Sequence, residues 1–482
     1  MGNMRSILLV LICAWSSLAI ARETPDSFGS DPFGTNLMLM PRPALRLNNS
    51  VADPCSEPMP KATLSLPDVV NLALCNNPKT REAWANSRVQ AAQVGIGEAN
   101  YLPSAELSAS ANHDLSGSTA DLNQSNVGVT LSYLLYDFGS RSANLENARQ
   151  LLAAANATQD STVQTVFLAA VQDYYQVQAT RASLDAALES ERAAKESFAA
   201  AEARYNIGSA TPADKLQAQT AYSQAVLNRI TADGNLRNAQ GTLANIIGLD
   251  ANRTVLLAPA NTAVMPDDFE GDVNALIEEA RQLRPDLQAA SALVKAAQAN
   301  ADAARASGSP MISLNASSNR YNNAGINSNS STIGINLKVP IFSGYAPTYR
   351  VRAAEAQVDS QKAQFEQLRL QVALDVWTAY QHLTTATQSL RTSAVLLSGA
   401  EQSERVALGR YKAGVGSILD VLNAQSALAS ARQQNIQSTF NWNIGRATLA
   451  QAMGNLDAGL LQTLSASSGQ HPSEINTQNH QQ

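Results

Sequence analysis

The sequence predicts an α+β membrane protein made of two similar halves, each with two membrane strands and one very long helix. Three observations carry this expectation. A phrase recurs: residues 204–222 read RYNIGSATPADKLQAQTAY and residues 410–428 read RYKAGVGSILDVLNAQSAL. Arg-Tyr, Gly, Asp and Ala-Gln return in register about 206 positions apart, a spacing that fits a duplicated half-domain and not a solenoid. Strict apolar/polar alternation appears at the same place in each half, the mark of strands with two unlike faces. Finally, residues 143–205 contain neither Gly nor Pro and are dominated by Ala, Gln, Leu, Glu and Arg. A helix of about 60 residues would span roughly 90 Å, more than a compact domain needs.

Composition narrows the class. The chain has 482 residues, 45% hydrophobic and 15% charged, with a formal charge of −6. No basic stripe exists to neutralise phosphates, which argues against nucleic acid as a partner. Aromatics are only 5% while Ala, Gln, Asn and Ser abound, as closely packed helices require.

Residues 1–21 read as an export signal: Arg5, the apolar run Ile7 to Trp15, and the small-residue site Ala19-Ile20-Ala21. The apolar run is too short for a membrane helix, and polar chain follows at once. Residues 22–63 form a Pro-rich leader without a sustained period. Of the cysteines left after cleavage, Cys55 and Cys75 are a disulfide candidate in an oxidising compartment. The alternative is a buried Cys75 beside a free Cys55 thiol.

The first repeat, 64–250, opens with Ser65, Pro67 and Asp68 as a helix start, and Asn77-Pro78 should kink or split that helix. A β-hairpin over 101–136 follows, with Ala105, Leu107, Ala109 and Ala111, then Val127, Val129, Leu131, Tyr133 and Leu135, at alternate positions. The long helix then leads to a tip at 204–214 and a returning helix in which Pro212 sits early. After a linker at 251–271, the second repeat (272–456) matches this order. Arg284-Pro285 stands for Asn77-Pro78, the hairpin spans 311–342 with alternation continuing to Val339 and Ile341, and the tip lies at 410–420. A polar tail, 457–482, ends the chain.

Four membrane strands cannot close a barrel alone, and open edges are not tolerated in lipid. Subunits must pool strands. A symmetric trimer would supply twelve, within the known barrel range. The long helices would continue as a tube on the periplasmic side.

The order of elements, the Tyr-x-x-Gly phrases at 205–208 and 411–414, and Asp420-Val421-Leu422 resemble the TolC-type outer-membrane channel family. The leader's DPC followed by LALCNNPKTREAWA is most similar to the CyaE-like branch, whose channels serve type I secretion of adenylate cyclase toxin. The resemblance implies a homotrimeric, twelve-stranded outer-membrane β-barrel on an α-helical coiled-coil tunnel, without cofactor. It also implies a periplasmic adaptor and an inner-membrane transporter, of ABC type on this branch, docking at the tips through Tyr205, Gly208, Tyr411 and Gly414. The family's gate positions fall on Asp214, Tyr411, Asp420 and Asn423, and a basic lock position falls on Gly416. Only one of two acidic rings therefore remains, with a cation ring possible at Asp420, where three like charges would repel one another. The plainer role for Asp214 and Asp420 is capping the helices that follow each turn. Gly208 and Gly414 permit tight turns.

Catalytic signatures are absent. No GxxxxGK[ST] or GxSxG occurs, and His113, His382, His471 and His480 lack ligand spacing. Asp173, Glu189 and Glu202 on the long helix read as solvated or lumen-facing. The expected function is a passive, gated duct for protein secretion in the outer membrane. Small-molecule efflux is the rival within the class, and a pore-less periplasmic scaffold the rival outside it.

Overall fold

A computed structural model describes residues 31–40, 55, 63–114, 122–253, 255–258, 272–323 and 326–456. The expected signal peptide, most of the leader and the tail lie outside them. In chain order the elements are α1 (Leu66–Asn76), α2 (Pro78–Ala99), β1 (Ser104–Asp114), β2 (Leu122–Tyr136), α3 (Ser140–Asn206) and α4 (Pro212–Ile246). Then come α5 (Val273–Leu283), α6 (Pro285–Ala306), β3 (Met311–Asn323), β4 (Ile326–Lys338), α7 (Ala346–Lys412) and α8 (Ile418–Ala452). Lengths match pairwise: 67 residues for α3 and α7, and 35 for α4 and α8.

Local chemistry sets the boundaries. The Ser65 amide donates to Asp68 Oδ2 at 2.9 Å, a reciprocal cap at the start of α1. Asn77-Pro78 splits the first helix, since the residue before proline is pushed out of the helical region. The break is then fastened: Asn77 Nδ2 donates to the Ile246 carbonyl at 3.0 Å, at the end of α4. Arg284 does the same in the second half, reaching the Ala452 carbonyl at 3.4 Å and Asp375 Oδ2 at 2.9 Å. Burial alone would lower the Arg284 guanidinium, but hydrogen bonds and charge from Asp286 and Asp375 raise it.

Four strands form one antiparallel sheet in the order β1-β2-β3-β4. Its register sorts side chains onto two faces. One face carries Leu107, Val129 and Ser318 in one row, then Ala105, Leu131, Ala316 and Ile333 in the next. Tyr133, Leu314 and Ile335 follow, then Tyr136, Ile312 and Leu337. The other face is polar, with Glu106, Thr130, Ser317 and Thr332 aligned across it. Gly128 lies there beside the Asn319 side chain of the neighbouring strand, which a Cβ at this position would push aside. β4 stops at Lys338, short of the expected Ile341, because Pro340 cannot donate to a ladder.

The helices bury two larger cores. One gathers Val69, Val70, Val166, Phe167, Val171 and Leu243; the other gathers Val372, Val376, Leu383, Leu390 and Trp442. Two segments read as loose linkers are partly built in. Leu257 pairs with Leu64 in a parallel bridge, and Val255 and Leu257 are buried in the first core. In the leader, Thr35 is buried, Leu39 packs against the Ala91–Val94–Leu145–Leu152 cluster, and Asn156 Nδ2 donates to the Met38 carbonyl at 3.0 Å. Neither segment has a period; tertiary contacts order both, and in the leader a local turn adds to them, with Asn36 N donating to Asp31 Oδ2 at 2.7 Å. Cys55 and Cys75 are joined by a disulfide with Cα atoms 5.2 Å apart.

Candidate functional site

Each long helix ends in the same turn. Gly208 takes a φ of 75° and Gly414 a φ of 78°, the left-handed region glycine enters without strain. Ser209 N donates to the Arg204 carbonyl at 2.9 Å and Val415 N to the Arg410 carbonyl at 3.0 Å, closing a Schellman-type end in both copies. Beyond the adjoining residues, no heavy atom of the described residues lies within 4 Å of where a Cβ would stand on Gly208 or Gly414, so both turns present open backbone.

The returning helices start with matching reciprocal caps. Thr211 N donates to Asp214 Oδ2 at 2.9 Å while Asp214 N donates to Thr211 Oγ1 at 3.2 Å. Ser417 and Asp420 repeat this at 3.2 and 3.1 Å. The two aspartates therefore cap from the third helical position, with Thr211 and Ser417 as the caps proper, a refinement of the expected capping role. Asp420 and Asn423 are exposed, and Asp214 is half-buried.

The two tips meet within one chain. Tyr411, on α7, is 6% exposed and clusters with Ala201 of α3, Ala218 of α4, and Ile418 and Val421 of α8. Arg204 covers its ring with the guanidinium carbon 4.1 Å from the ring centre, and Nη2 donates to the Tyr411 carbonyl at 2.7 Å. Tyr411 is thus a core residue of the joined tips, whereas Tyr205 is exposed with Lys215 5.4 Å from its ring centre. A Cβ on Gly416 would lie 3.0 Å from the Tyr411 nitrogen, so the position matching a basic lock is closed by backbone. Arg204, from the other hairpin, brings a guanidinium against Tyr411 at the joined tips. Its side chain was not singled out from sequence, although Arg opens both copies of the repeated phrase.

Farther along α3, Gln425 Nε2 donates to Ser197 Oγ at 3.1 Å and Arg432 lies 3.8 Å from Glu189. Positions 189, 197 and 204 are spaced by eight and seven residues, so they lie along one stripe of α3. Two of the carboxylates read as solvated or lumen-facing are paired: Glu189 with Arg432, and Glu202 with Lys215 at 2.9 Å. Asp173 is half-buried, and burial raises its carboxyl above the ordinary range, as it does for Asp160. Burial also pushes the Tyr175 hydroxyl up to about 12.

Among the described residues, no cluster of His, Cys, Asp and Glu could hold a metal within one chain, and no helix is long and apolar enough to cross a membrane. A family profile described as "Outer membrane efflux protein" matches residues 69–249 and 276–455. Protein CyaE of Bordetella pertussis is 33% identical over 419 residues, covering 84% of this chain and 88% of the relative. Outer membrane protein TolC of Escherichia coli is 23% identical over 414 residues, covering 82% and 83%. The outer membrane channel CmeC of Campylobacter jejuni superposes with a TM-score of 0.74 at 18% identity, covering 89% of this chain and 98% of that one. The chain belongs to the outer membrane efflux protein family and is an outer-membrane channel protein, not an enzyme.

Proposed function

We propose that the protein is the outer-membrane duct of a type I protein-secretion system, working as a homotrimer with a twelve-stranded barrel. The observation that carries this reading is an open four-stranded sheet with an apolar band across one face, whose outer strands β1 and β4 each have a single neighbour. Such edges persist in lipid only if another copy pairs with them. The matched helix lengths and repeated tips support an internal two-fold duplication. The slope of the apolar boundary supports tilted strands. It reaches Ala109 and Val127 on β1 and β2 but stops at Ala316 and Ile333 on β3 and β4, two same-face rows lower. That is about 13 Å along the strands over two to three spacings of about 4.8 Å, a slope of roughly 45°. Barrel strands tilt by a similar angle.

The chain hydrolyses nothing, so a periplasmic adaptor and an ABC-type inner-membrane transporter drive the export. They engage the open backbone at Gly208 and Gly414 and the exposed Tyr205, and they part the joined tips around Tyr411. Asp420, with Asn423 one turn on, lines the aperture, and three Asp420 carboxylates around the axis form a cation ring. The higher identity to CyaE favours a polypeptide cargo. A second reading, small-molecule efflux, is supported by 26% identity over 413 residues to the probable efflux pump protein TtgC of Pseudomonas putida.

Planar-bilayer conductance tests the duct. Wild type should give discrete channels that divalent cations block, and Asp420→Ala should abolish the block. No conductance and no trimer would overturn the duct and return the scaffold. For the cargo, a strain lacking the protein should lose a secreted polypeptide and keep its drug tolerance; the opposite pattern would make it an efflux duct.

A further inference from the structure

We infer that the upper part of the apolar sheet face, centred on Arg320, binds a phosphorylated, acylated glycolipid of the outer leaflet. The inference rests on the barrel reading above. On β3 and β4 the face carries Ile312, Leu314 and Ala316 beside Leu337, Ile335 and Ile333, and then changes character within one row. Ser318 and Ser331 come next, with hydroxyls 3.0 Å apart, then Arg320 opposite Asn329, then Asn322 opposite Asn327. Arg320 is exposed, and it is the only Asp, Glu, Lys or Arg on this face among the described strand residues. Among those residues no hydrogen bond or ion pair engages its guanidinium.

Position fixes the leaflet. Both long helices leave the sheet at its opposite end, after Tyr136 and Lys338, so Arg320 lies three residues from the end of β3 at Asn323, on the side away from the periplasm. A cation placed directly above an aliphatic band meets the phosphate of a lipid whose chains lie on that band. Guanidinium binds phosphate through two parallel hydrogen bonds, stronger than neutral pairs and more directional than an ammonium contact. The surrounding amides and hydroxyls suit a sugar that carries the phosphate, whose several hydroxyls and amide groups engage more of them than the two hydroxyls of a glycerol headgroup. Chains on Ile333, Ile335 and Leu337, phosphate on Arg320, and sugar on Ser318, Ser331 and Asn329 describe one ligand class: a phosphorylated glucosamine lipid.

The test uses purified, assembled full-length protein in neutral detergent. The probes are bis-phosphorylated hexa-acyl lipid A, the same lipid after dephosphorylation, and phosphatidylglycerol. Wild type should retain the phosphorylated lipid at least about tenfold more tightly than the other two, the scale of a charge-assisted hydrogen bond. Arg320→Ala should erase that preference and Arg320→Lys restore only part of it. Arg320→Gln serves if the alanine variant does not assemble. A preference unchanged in the neutral variants, or phosphatidylglycerol held as tightly as lipid A, would overturn the inference. Conductance on the same preparation separates the two readings. Channels without a phosphate preference overturn the glycolipid site alone; no channels and no trimer overturn both.

Discussion

Arg204 at the end of α3 holds Tyr411 at the end of α7 twice, by a 2.7 Å hydrogen bond to its carbonyl and by a stack 4.1 Å from its ring centre. One side chain therefore couples the two hairpin tips, which on the proposed gating reading part as the passage widens. Arg204→Ala should loosen this coupling by about 2 kcal/mol, the scale of one charge-assisted hydrogen bond with a cation–π contact. That is about a thirtyfold shift between closed and open tips. The expected result in bilayers is a higher open fraction at unchanged single-channel selectivity. Arg204→Lys keeps the charge but not the planar fork, and should recover only part of the closure. An open fraction identical to wild type in both variants would remove Arg204 from the gate.

Capping and gating can be separated at the second tip. Ser417→Ala removes the hydroxyl that accepts from Asp420 N and should cost about 1 kcal/mol at the start of α8. The Asp420 charge stays, so cation block should persist while hydrogen exchange in the first turn of α8 quickens. Loss of cation block in Ser417→Ala would mean that the block depends on the cap and not on a ring of charges.

Strand positions, the split at Asn77-Pro78 and both long helices were legible because each rests on local signals: alternation, proline sterics, and freedom from Gly and Pro. The tips were legible because the phrase repeats. What sequence could not supply was partnership. Tyr411 was legible as a tip residue, but not its place in a buried cluster with Ala201, Ala218, Ile418 and Val421, residues that are distant in sequence or lie across the turn. Val255 and Leu257 read as linker because a single bridge to Leu64 carries no period. Arg204 was invisible for the same reason, since nothing in the phrase tells a solvated arginine from one stacked on the opposite tip.

Asp173 offers a pH signature. Burial raises its carboxyl above the ordinary value of 3.8 in the folded chain. The folded state then binds its proton more tightly than the unfolded state, so stability falls as pH rises through the window between those two values. Above the window the buried charge is a standing cost. Asp173→Asn should therefore raise the thermal midpoint at neutral pH, and the gain should vanish below pH 3.8, where both states are protonated. A gain independent of pH would assign the effect to packing, and a loss at neutral pH would mean that the charge has a partner in the assembled protein.

The Cys55–Cys75 bridge closes a loop across a separation of 20 residues and fastens the leader to α1 beside the first core. On the chain-entropy account, a loop of this size contributes about 3 kcal/mol. Residues 31–40 hold the leader independently, through Leu39 and the Asn156 bond to Met38, so losing the bridge should destabilise the α1 region without freeing that clip. Cys75→Ser, Cys55→Ser and the double variant should all lower the unfolding midpoint equally, because each removes the same bond, and a reductant should bring wild type to the same value. Equal losses that fail to add would identify the bridge as the cause. A larger loss in Cys75→Ser alone, undiminished in reductant, would show that the Cys75 side chain stabilises α1 by its packing and that the bond itself contributes little.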